Sequence, residues 1–486
     1  MTSLRYQIAR RASLERFRER SHGRLRGKAG FLRIGALRKP IAFDLPALTW
    51  LGAACVSALV VGVSIARSPT LPATLVPFIV MLMGLALLVG QLYHYRDASI
   101  RQGLMRWTLG AFALHFAIGD IIWHVPTLTT YFGGDAFTYN GGGAALAQHW
   151  LGNAPMPGLP AGKDGFFYLL GSLYYLFGPH AGAGMAVDAA FAAAMIPLLH
   201  DATERQFGPA AARYVPPLCL FIPGFLIWSS QLLREAGIYF GIALALNAAV
   251  RLYRRITLGA LFTMTCSLVL IFVWRASVGA LAAGGFLIAF MFQRQVKNTF
   301  ASLIMAVAAA ALVLGVGLGH DGFTFMANTN FAQINGTRMA SATGAASGFL
   351  PNSDVASGKH ALLYLPIATP LFMFGPFPWN LASGRQLFSI PDVLTWWALL
   401  PSLWRGFGEA RRRVGRAVGF YWVPAIANAL GLSLIIANYG TAVRERMQVI
   451  VFLIPLVALG LSLRKGRSSS PESAGTDPDM MPVRMV

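Results

Sequence analysis

Long uncharged, apolar runs recur along this chain of 486 residues, for example at 78–90, 237–250, 302–318 and 449–463. The longer runs approach the roughly 20 residues that a helix needs to cross about 30 Å of hydrocarbon. The runs do not alternate between apolar and polar residues, so helices rather than strands would satisfy the backbone inside a membrane. The pattern therefore predicts an all-α, polytopic membrane protein.

The apolar runs predict twelve transmembrane helices, with both termini in the cytoplasm. They are placed at 47–66, 71–92, 107–126, 181–199, 211–228, 232–252, 258–274, 277–292, 300–318, 387–404, 417–436 and 449–463. The chain is then divided into a basic cytoplasmic arm at 1–44, a multi-span membrane domain at 45–465 and a cytoplasmic tail at 466–486. The tail is rich in Ser, Pro and Asp, and we expect it to be disordered.

The distribution of positive charge supports this topology. The net charge is +21, and residues 1–39 hold twelve basic residues against Glu15 and Glu19. Cytoplasmic loops are enriched in Lys and Arg, and 31 of the 40 basic residues fall on that side. A basic arm beside a first span is more typical of an anchor at anionic lipid than of a nucleic-acid binder. We therefore expect a multi-pass membrane protein with both termini in the cytoplasm, and with membrane lipids and no nucleic acid as partners.

Two long regions fall on the non-cytoplasmic side, at 127–180 and 319–386. Each contains an apolar segment, 166–177 and 361–379. If either segment crossed the membrane, every later loop would change sides, and the most basic loops would lie outside the cytoplasm. We expect interfacial or re-entrant helices there. Long loops in a compact fold usually carry function, so the outer face is the expected location of a site.

Asp135 is the first candidate for chemistry. It follows a predicted span on the outer side, and Gly133 and Gly134 let the backbone approach a ligand. A carboxylate there can act as a general base or hold a divalent cation, while an ordinary solvated loop residue is the alternative. The amphipathic stretch after Tyr139 predicts an interfacial helix, which places Asp135 near the lipid headgroups.

Other chemistries lack their sequence signatures. The three cysteines fall in apolar runs without metal-ligand spacing, so neither disulfides nor a zinc site is expected. The sequence contains no GxxxxGK[ST], GxSxG or HExxH motif, and we expect no nucleotide-driven reaction from this chain. No cofactor is predicted with certainty, and a divalent cation at Asp135 is left open.

The region 107–255 contains a series of loosely spaced motifs. They are an Asp-x-x-x-Tyr pattern, an alanine-containing interfacial helix, a Lys before an apolar segment, and a span ending in Arg-Gln-Phe-Gly. In this chain these are Asp135 and Tyr139, Ala144, Ala145 and Ala147, the segment ending Leu176-Phe177-Gly178, Arg205-Gln206-Phe207-Gly208, and the following Pro223 and Trp228-Ser229-Ser230. With these motifs the region resembles the membrane glycosyltransferases of the GT-C superfamily, and the resemblance implies a bacterial cytoplasmic (inner) membrane. Two positions depart from the family pattern, because many members have Glu in place of Ala136 and Arg in place of Asp188.

The resemblance implies a sugar donor carried on a polyprenyl phosphate or diphosphate, and an outer acidic residue as catalytic base, which by position is Asp135. A second acid, where one is needed, would be Asp164, Glu235 or Asp120. The sequence does not choose among these three.

Some basic residues lie on the predicted outer side, although Lys and Arg are usually concentrated on the cytoplasmic side. We expect these residues to bind the donor phosphate, because an Arg guanidinium can donate two parallel hydrogen bonds to phosphate oxygens. Arg444 and Arg446 are expected in a short outer loop between the last two spans. The alternatives are snorkelling for Arg234 and Arg275 and a structural ion pair with Glu445. The expected substrate-binding residues are Tyr139, Lys163, Asp164, Arg234, Glu235, Arg275, Arg385, Arg444 and Arg446.

Together these expectations predict transfer of a sugar from a polyprenyl-linked donor to a glycan, lipid or protein acceptor at the outer face. Envelope glycan-assembly proteins are the expected protein partners. A polysaccharide polymerase or ligase of another membrane fold is one alternative. A transporter or flippase of a lipid-linked substrate, or a non-catalytic scaffold, is the alternative from a different class.

Overall fold

The computed structural model describes residues 71–467 except 94, 96, 161, 294–328, 345–346 and 382–383. Within these residues every regular element is a helix, which agrees with the predicted all-α class. The α-helices are α1 (Leu71–Leu92), α2 (Ala98–His124), α3 (Pro126–Phe132), α4 (Gly134–Trp150), α5 (Gly165–Phe177), α6 (Ala181–Phe207), α7 (Pro209–Ala212), α8 (Val215–Phe221), α9 (Pro223–Trp228), α10 (Glu235–Arg254), α11 (Leu258–Trp274), α12 (Ala276–Met291), α13 (Phe331–Thr343), α14 (Gly358–Phe374), α15 (Gly384–Leu387), α16 (Ile390–Val414), α17 (Gly419–Ile435) and α18 (Tyr439–Arg467). Short 3-10 helices, Pro378–Asn380 and Gly415–Val418, precede α15 and α17.

Five helical stretches among the described residues are long and apolar enough to cross a membrane. They are Leu75–Leu92, Ala181–Phe207, Glu235–Arg254, Ile390–Ile435 and Tyr439–Arg464. The bent pair α2 and α3 makes a sixth if it counts as one span, while α5, α11 and α12 are apolar but shorter. These helices are consistent with a membrane protein, and the predicted count of twelve spans is not confirmed.

Several predicted segments lie outside the described residues. These are the basic arm at 1–44, the first span at 47–66, the span at 300–318 and the tail beyond residue 467. The predicted outer region 127–180 contains α3, α4 and α5, and the described part of 319–386 contains α13, α14 and α15.

The predicted continuous span at 211–228 is wrong. The chain there forms three short helices, α7, α8 and α9, each with a proline in its first turn. A proline has no amide hydrogen and clashes with the preceding turn, so it starts a helix readily but does not continue one. After α9, residues 229–234 are non-helical and fully buried. This interruption places Arg234 and Glu235 inside the protein, at the start of α10.

A sharp bend between α2 and α3 turns the chain toward α4. The two helices meet at Val125 at an angle of 104°. The Thr129 hydroxyl donates a hydrogen bond to the Ile122 carbonyl at 2.6 Å, which satisfies a backbone oxygen at the end of α2. The helix predicted after Tyr139 therefore begins earlier, at Gly134, and Asp135 lies in its first turn rather than in a loop.

Close helix contacts fix the elements that carry the charged residues. A Cβ atom on Gly406 of α16 would lie 1.8 Å from the Leu456 carbonyl oxygen, and one on Gly460 of α18 would lie 1.8 Å from the Ser402 carbonyl oxygen. Any larger residue would force α16 and α18 apart. In the same way, a Cβ on Gly237 would lie 1.6 Å from the Trp274 ring, so α10 packs directly on the end of α11.

Candidate functional site

The first turns of α18 carry three consecutive charged residues, Arg444, Glu445 and Arg446. The helix begins at Tyr439, ten residues before the predicted span, so the expected outer loop around Arg444 and Arg446 is wrong. The Asn438 side chain precedes the helix and accepts a hydrogen bond from the Gly440 amide at 2.8 Å, as helix-capping residues do. The helix can begin there because each of the three charges has a partner of opposite sign within the protein.

Arg444 contacts Asp135, which makes α4 and α18 neighbours at the site. The Arg444 Nη1 atom lies 2.5 Å from Asp135 Oδ2. The Asp135 side chain is 57% exposed, whereas the Arg444 side chain is only 15% exposed. The positive charge of Arg444 lowers the pKa of the Asp135 carboxyl below its usual value, so this group is ionised at neutral pH.

Behind this pair, glutamates and arginines alternate in a buried cluster. Glu235 Oε1 lies 3.3 Å from Arg444 Nε and 4.0 Å from Arg234 Nε. Glu445 contacts Arg444 Nη2 at 3.8 Å and also pairs with Arg275 Nη1. We call Arg234, Glu235, Arg275, Arg444 and Glu445 the Arg–Glu cluster. The sequence predicted only that these residues lie on the outer face, in three separate segments of the chain. The structure shows that their side chains form one cluster.

Lys163 and Asp164 lie at the edge of the Arg–Glu cluster. The backbone beside them is held against the start of α12 by a hydrogen bond from the Ala276 amide to the Gly162 carbonyl, at 3.1 Å. Asp164 is buried, and Lys163 is exposed. Although the side chain is exposed, partial loss of hydration beside the cluster, and then the charges of Arg234 and Arg275, lower the pKa of Lys163 to about 8. The positive charges around Lys163 therefore make the protonated form of its side chain less favourable than in water.

The depressed pKa of Lys163 gives a pH-dependent expectation for stability. In the unfolded chain the ammonium group titrates near its ordinary pKa of about 10.4, so between about pH 8 and 10 the unfolded state binds more protons and stability rises with pH. We expect Lys163→Gln to be more stable than wild type at pH 7, with a smaller difference at pH 10. Thermal unfolding of the purified protein in detergent at both pH values would test this, and an equal difference at both would contradict it.

Arg446 has a structural role and does not reach the cavity described below. Its side chain is fully buried, with Nη2 2.5 Å from Asp392 Oδ2 and Nη1 donating to the Gly375 carbonyl at 2.5 Å. Asp392 in turn accepts a hydrogen bond from the Gly224 amide at 2.8 Å. The pair ties α18 to α16, to the end of α14 and to the start of α9. The prediction that Arg446 holds a phosphate is therefore not supported by its position.

A cavity of about 500 Å³ opens beside the Asp135–Arg444 pair. Rings form one continuous part of its wall: Phe388 lies 5.4 Å from Tyr131 and 5.5 Å from Phe132, and Phe132 lies 6.0 Å from Trp228 between ring centroids. The polar side chains that also line it are Asp135, Ser347, Gln386, Ser389, Asp392, Asn438, Thr441 and Arg444. An apolar wall with a few convergent polar groups is typical of a ligand-binding site.

Two other predicted candidates, Tyr139 and Asp120, lie away from the cavity wall, and so does Asp188, the position where the family pattern has Arg. Tyr139 is buried between Phe166 and Phe167, with ring centroids 5.1 Å and 4.9 Å away, and burial raises the pKa of its hydroxyl. Asp120 lies 3.3 Å from His124, and Asp188 accepts a hydrogen bond from the Leu233 amide at 3.2 Å. Tyr139 therefore packs in the protein interior, and Asp188 accepts the hydrogen bond of a buried backbone amide. Arg385 lies in α15 next to Gln386, which lines the cavity.

The sequence did not identify Asp392, Trp228 or Asn438 as members of the site. Asp392 follows Pro391 at the start of a predicted span, and an acidic residue in a first helical turn is common enough to raise no signal. Trp228 was noted only within the family pattern. The Arg444 guanidinium carbon lies 6.0 Å from its ring centroid, a cation–π contact that no sequence spacing reveals.

A metal site has no supporting cluster in the described part of the chain, where no group of three or more His, Cys, Asp or Glu side chains could hold an ion. At Asp135 the nearest charge is a guanidinium, which competes with a cation for the carboxylate. A divalent cation there stays a prediction.

In the described part of the chain, the fold is all-helical and consistent with a membrane protein, and a buried Arg–Glu cluster lies beside an aromatic cavity. No protein-family model, curated protein or solved structure matches the chain.

Proposed function

We propose that the protein transfers a sugar from a polyprenyl-linked donor to an acceptor hydroxyl. The observation that carries this proposal is the exposed Asp135 carboxylate beside the Arg444 guanidinium, 2.5 Å apart, on the wall of an aromatic cavity. Sugar transfer requires a proton acceptor for the hydroxyl, a cation for the departing phosphate and a surface that holds a pyranose ring. The cavity offers one candidate for each requirement.

The proposed reaction assigns each group a role. The acceptor hydroxyl attacks the anomeric carbon of the donor sugar, and its proton passes to the Asp135 carboxylate. The bond between that carbon and the phosphate oxygen breaks, and its electron pair leaves on the phosphate. Arg444 stabilises the charge that develops on the phosphate, because a guanidinium forms strong hydrogen bonds to phosphate oxygens. The resemblance of region 107–255 to GT-C glycosyltransferases supports the same assignment of Asp135.

The aromatic wall supports a sugar as the group in the cavity. Rings of Trp228, Phe132 and Phe388 provide apolar faces, while Gln386, Asn438 and Thr441 provide hydrogen-bonding groups around them. A pyranose has the same combination of an apolar face and peripheral hydroxyls. The proposal leaves the acceptor as a glycan, a lipid or a protein, and polymerase and ligase reactions belong to the same chemistry.

The proposed setting is the outer side of a bacterial cytoplasmic membrane, with both termini in the cytoplasm. The support is the charge distribution of the sequence, in which the Arg–Glu cluster holds three of the few basic residues on the outer side. Envelope glycan-assembly proteins remain the proposed protein partners.

Transport of a lipid-linked substrate is the alternative, and one observation favours it. A second cavity of about 610 Å³ is lined by Tyr95, Asp201, Arg205 and Arg251, among others. It lies roughly 24 Å along α10 from Glu235, since a helix rises 1.5 Å per residue. A transporter would need polar groups along the path between the two cavities. However, α10, which runs between them, is almost wholly buried and mostly apolar. This favours an enzyme with one chemical site.

The transfer assay uses purified protein in liposomes with labelled polyprenyl-linked sugars. We expect turnover by wild type and a roughly 10- to 100-fold lower kcat/KM for Arg444→Gln, because a charged hydrogen bond to the leaving phosphate is lost. Arg464→Gln is the matched control, since Arg464 lies in the same helix and is exposed at its far end. Absence of turnover with every donor, together with substrate-dependent transport into the liposomes, would overturn the proposal in favour of the transporter.

A further inference from the structure

The second cavity, of about 610 Å³, lies at the opposite end of α10 from the Arg–Glu cluster. Three of the helices that are long and apolar enough to cross a membrane contribute to its wall near their ends, with Gln91 of α1, Asp201 of α6 and Arg251 of α10. The ends of membrane helices lie at the level of the lipid headgroups. This polar cavity is therefore placed where a headgroup can reach it.

The wall of the second cavity carries four charged side chains, two of each sign: Asp201, Glu204, Arg205 and Arg251. Two of them satisfy each other, because Arg205 Nε lies 2.6 Å from Asp201 Oδ2. Asn247 holds that carboxylate in place as well, with Nδ2 at 2.8 Å from the same oxygen. The remaining charges, on Glu204 and Arg251, have opposite signs but form no ion pair with each other in the described part of the chain.

Glu204 and Arg251 are thus the free charges of the wall. The nearest basic nitrogen to the Glu204 carboxylate is His200 Nδ1, at 3.7 Å, which is longer than a hydrogen bond. Arg251 forms no ion pair with any described residue. Next to the wall, Asp97 and Arg101 lie one turn apart at the start of α2 and offset each other. A wall with one free carboxylate and one free guanidinium is complementary to a ligand that joins a cation and an anion in one molecule.

The surface of α1 beside the second cavity is apolar and exposed. Met83 and Leu87 are 54% and 75% exposed, and they lie two turns and one turn before Gln91 on the same side of the helix. Tyr95 also lines the cavity, where its hydroxyl donates a hydrogen bond to the Pro197 carbonyl at 2.7 Å. Tyrosine is enriched at membrane interfaces. An exposed apolar stripe that ends at a polar cavity fits a lipid, whose acyl chains follow the stripe while its headgroup enters the cavity.

We infer that the second cavity binds the headgroup of a zwitterionic aminophospholipid, such as phosphatidylethanolamine. The ammonium group donates hydrogen bonds to Glu204, and the phosphodiester accepts hydrogen bonds from Arg251. One ammonium and one phosphodiester match the one free charge of each sign on the wall, and the pair of Asp201 with Arg205 stays intact. The bound headgroup joins α6 to α10 at the end that is distant from Asp135, so this site is separate from the proposed sugar transfer and does not depend on it.

The experiment measures lipid binding to the purified protein by native mass spectrometry, with phosphatidylethanolamine, phosphatidylcholine and phosphatidylglycerol of identical acyl chains. Phosphatidylcholine carries the same charges, but its quaternary ammonium cannot donate a hydrogen bond. Phosphatidylglycerol has the phosphodiester and no cation. We expect wild type to bind phosphatidylethanolamine at least about 10-fold more tightly than either of the others, the usual effect of a hydrogen bond to a charged group.

Two variants separate the roles of the free charges. Glu204→Gln should reduce the preference for phosphatidylethanolamine over phosphatidylcholine to less than about 3-fold, because the ammonium loses its charged acceptor. Arg251→Gln should weaken the binding of both lipids by about 10-fold and keep the preference between them, because both contain the phosphodiester. Arg254→Gln is the matched control, since Arg254 is exposed in the same helix and does not line the cavity, and it should change no affinity.

Equal affinity of wild type for phosphatidylethanolamine and phosphatidylcholine, or an unchanged preference in Glu204→Gln, overturns the inference. Wild-type affinity for both lipids in Arg251→Gln also overturns it, so the test does not depend on the folding of one variant. Glycerophosphoethanolamine is the same headgroup without acyl chains, and its binding as tightly as the whole lipid would overturn a lipid as the ligand. Each of these results leaves sugar transfer standing, because Arg251 lies about 24 Å along α10 from Glu235.

Discussion

Asp135→Asn is expected to lower the rate of sugar transfer by roughly two to four orders of magnitude, the usual contribution of a positioned general base. Asparagine has nearly the same shape and its amide oxygen can still accept a hydrogen bond from Arg444, so the site should keep its geometry. It cannot take up the proton of the acceptor hydroxyl. Initial rates with saturating donor would measure the loss, and donor affinity should change much less than the rate.

Asp354→Asn is the control for this variant. Asp354 is also about half exposed and also paired with a basic side chain, His360 at 3.0 Å, but it does not line the cavity. We expect its transfer rate to equal that of wild type. Transfer by Asp135→Asn at the wild-type rate would show that another group accepts the proton.

Arg446→Met is expected to destabilise the protein by about 3–5 kcal/mol, the usual effect of removing one partner from a buried ion pair. The substitution leaves the Asp392 carboxylate buried without its cation and removes the hydrogen bond to the Gly375 carbonyl. The fraction of protein that remains monodisperse on size exclusion, together with the unfolding temperature, would report the loss. Arg464→Gln, exposed in the same helix, should change neither quantity.

A double variant separates a structural role for Arg446 from a role in binding. Arg446→Met with Asp392→Asn removes both charges, and the asparagine oxygen can still accept the hydrogen bond from the Gly224 amide. We expect the double variant to be more stable than Arg446→Met alone. A stable Arg446→Met that fails only to bind the donor would contradict the structural assignment.

Much of the helical architecture could be predicted from hydrophobic patterning. The predicted spans at 258–274 and 277–292 agree with α11 and α12 to within one residue. Hydrophobic patterning gave wrong helix boundaries in two places, one where prolines interrupt an apolar run and one where charged residues lie inside a helix. Residues 211–228 are as apolar as a span but are interrupted by proline, and α18 begins ten residues before its apolar run because its charges are paired inside the protein.

The site could be predicted only as a set of residues on one face. Charge topology selected Arg234, Arg275 and Arg444 because each opposed the expected distribution, and the structure gathers these three around Glu235 and Glu445. The same criterion selected Arg446, whose position is structural. It could not find Asp392, since the pairing of α16 with α18 depends on long-range packing at Gly406 and Gly460 rather than on local sequence.

The three consecutive charges of α18 restrict how this part of the chain can change in length. Successive residues of a helix point about 100° apart, so Arg444, Glu445 and Arg446 reach α4, Arg275 at the end of α11, and α16 in turn. Inserting or deleting a single residue within that turn would rotate every charge away from its partner at once. The link before this helix gives no slack either, because Ile436 and Ala437 are buried and the Ala437 carbonyl accepts a hydrogen bond from the Phe349 amide. We therefore expect related chains to keep a fixed count of residues from the end of α17 through Arg446.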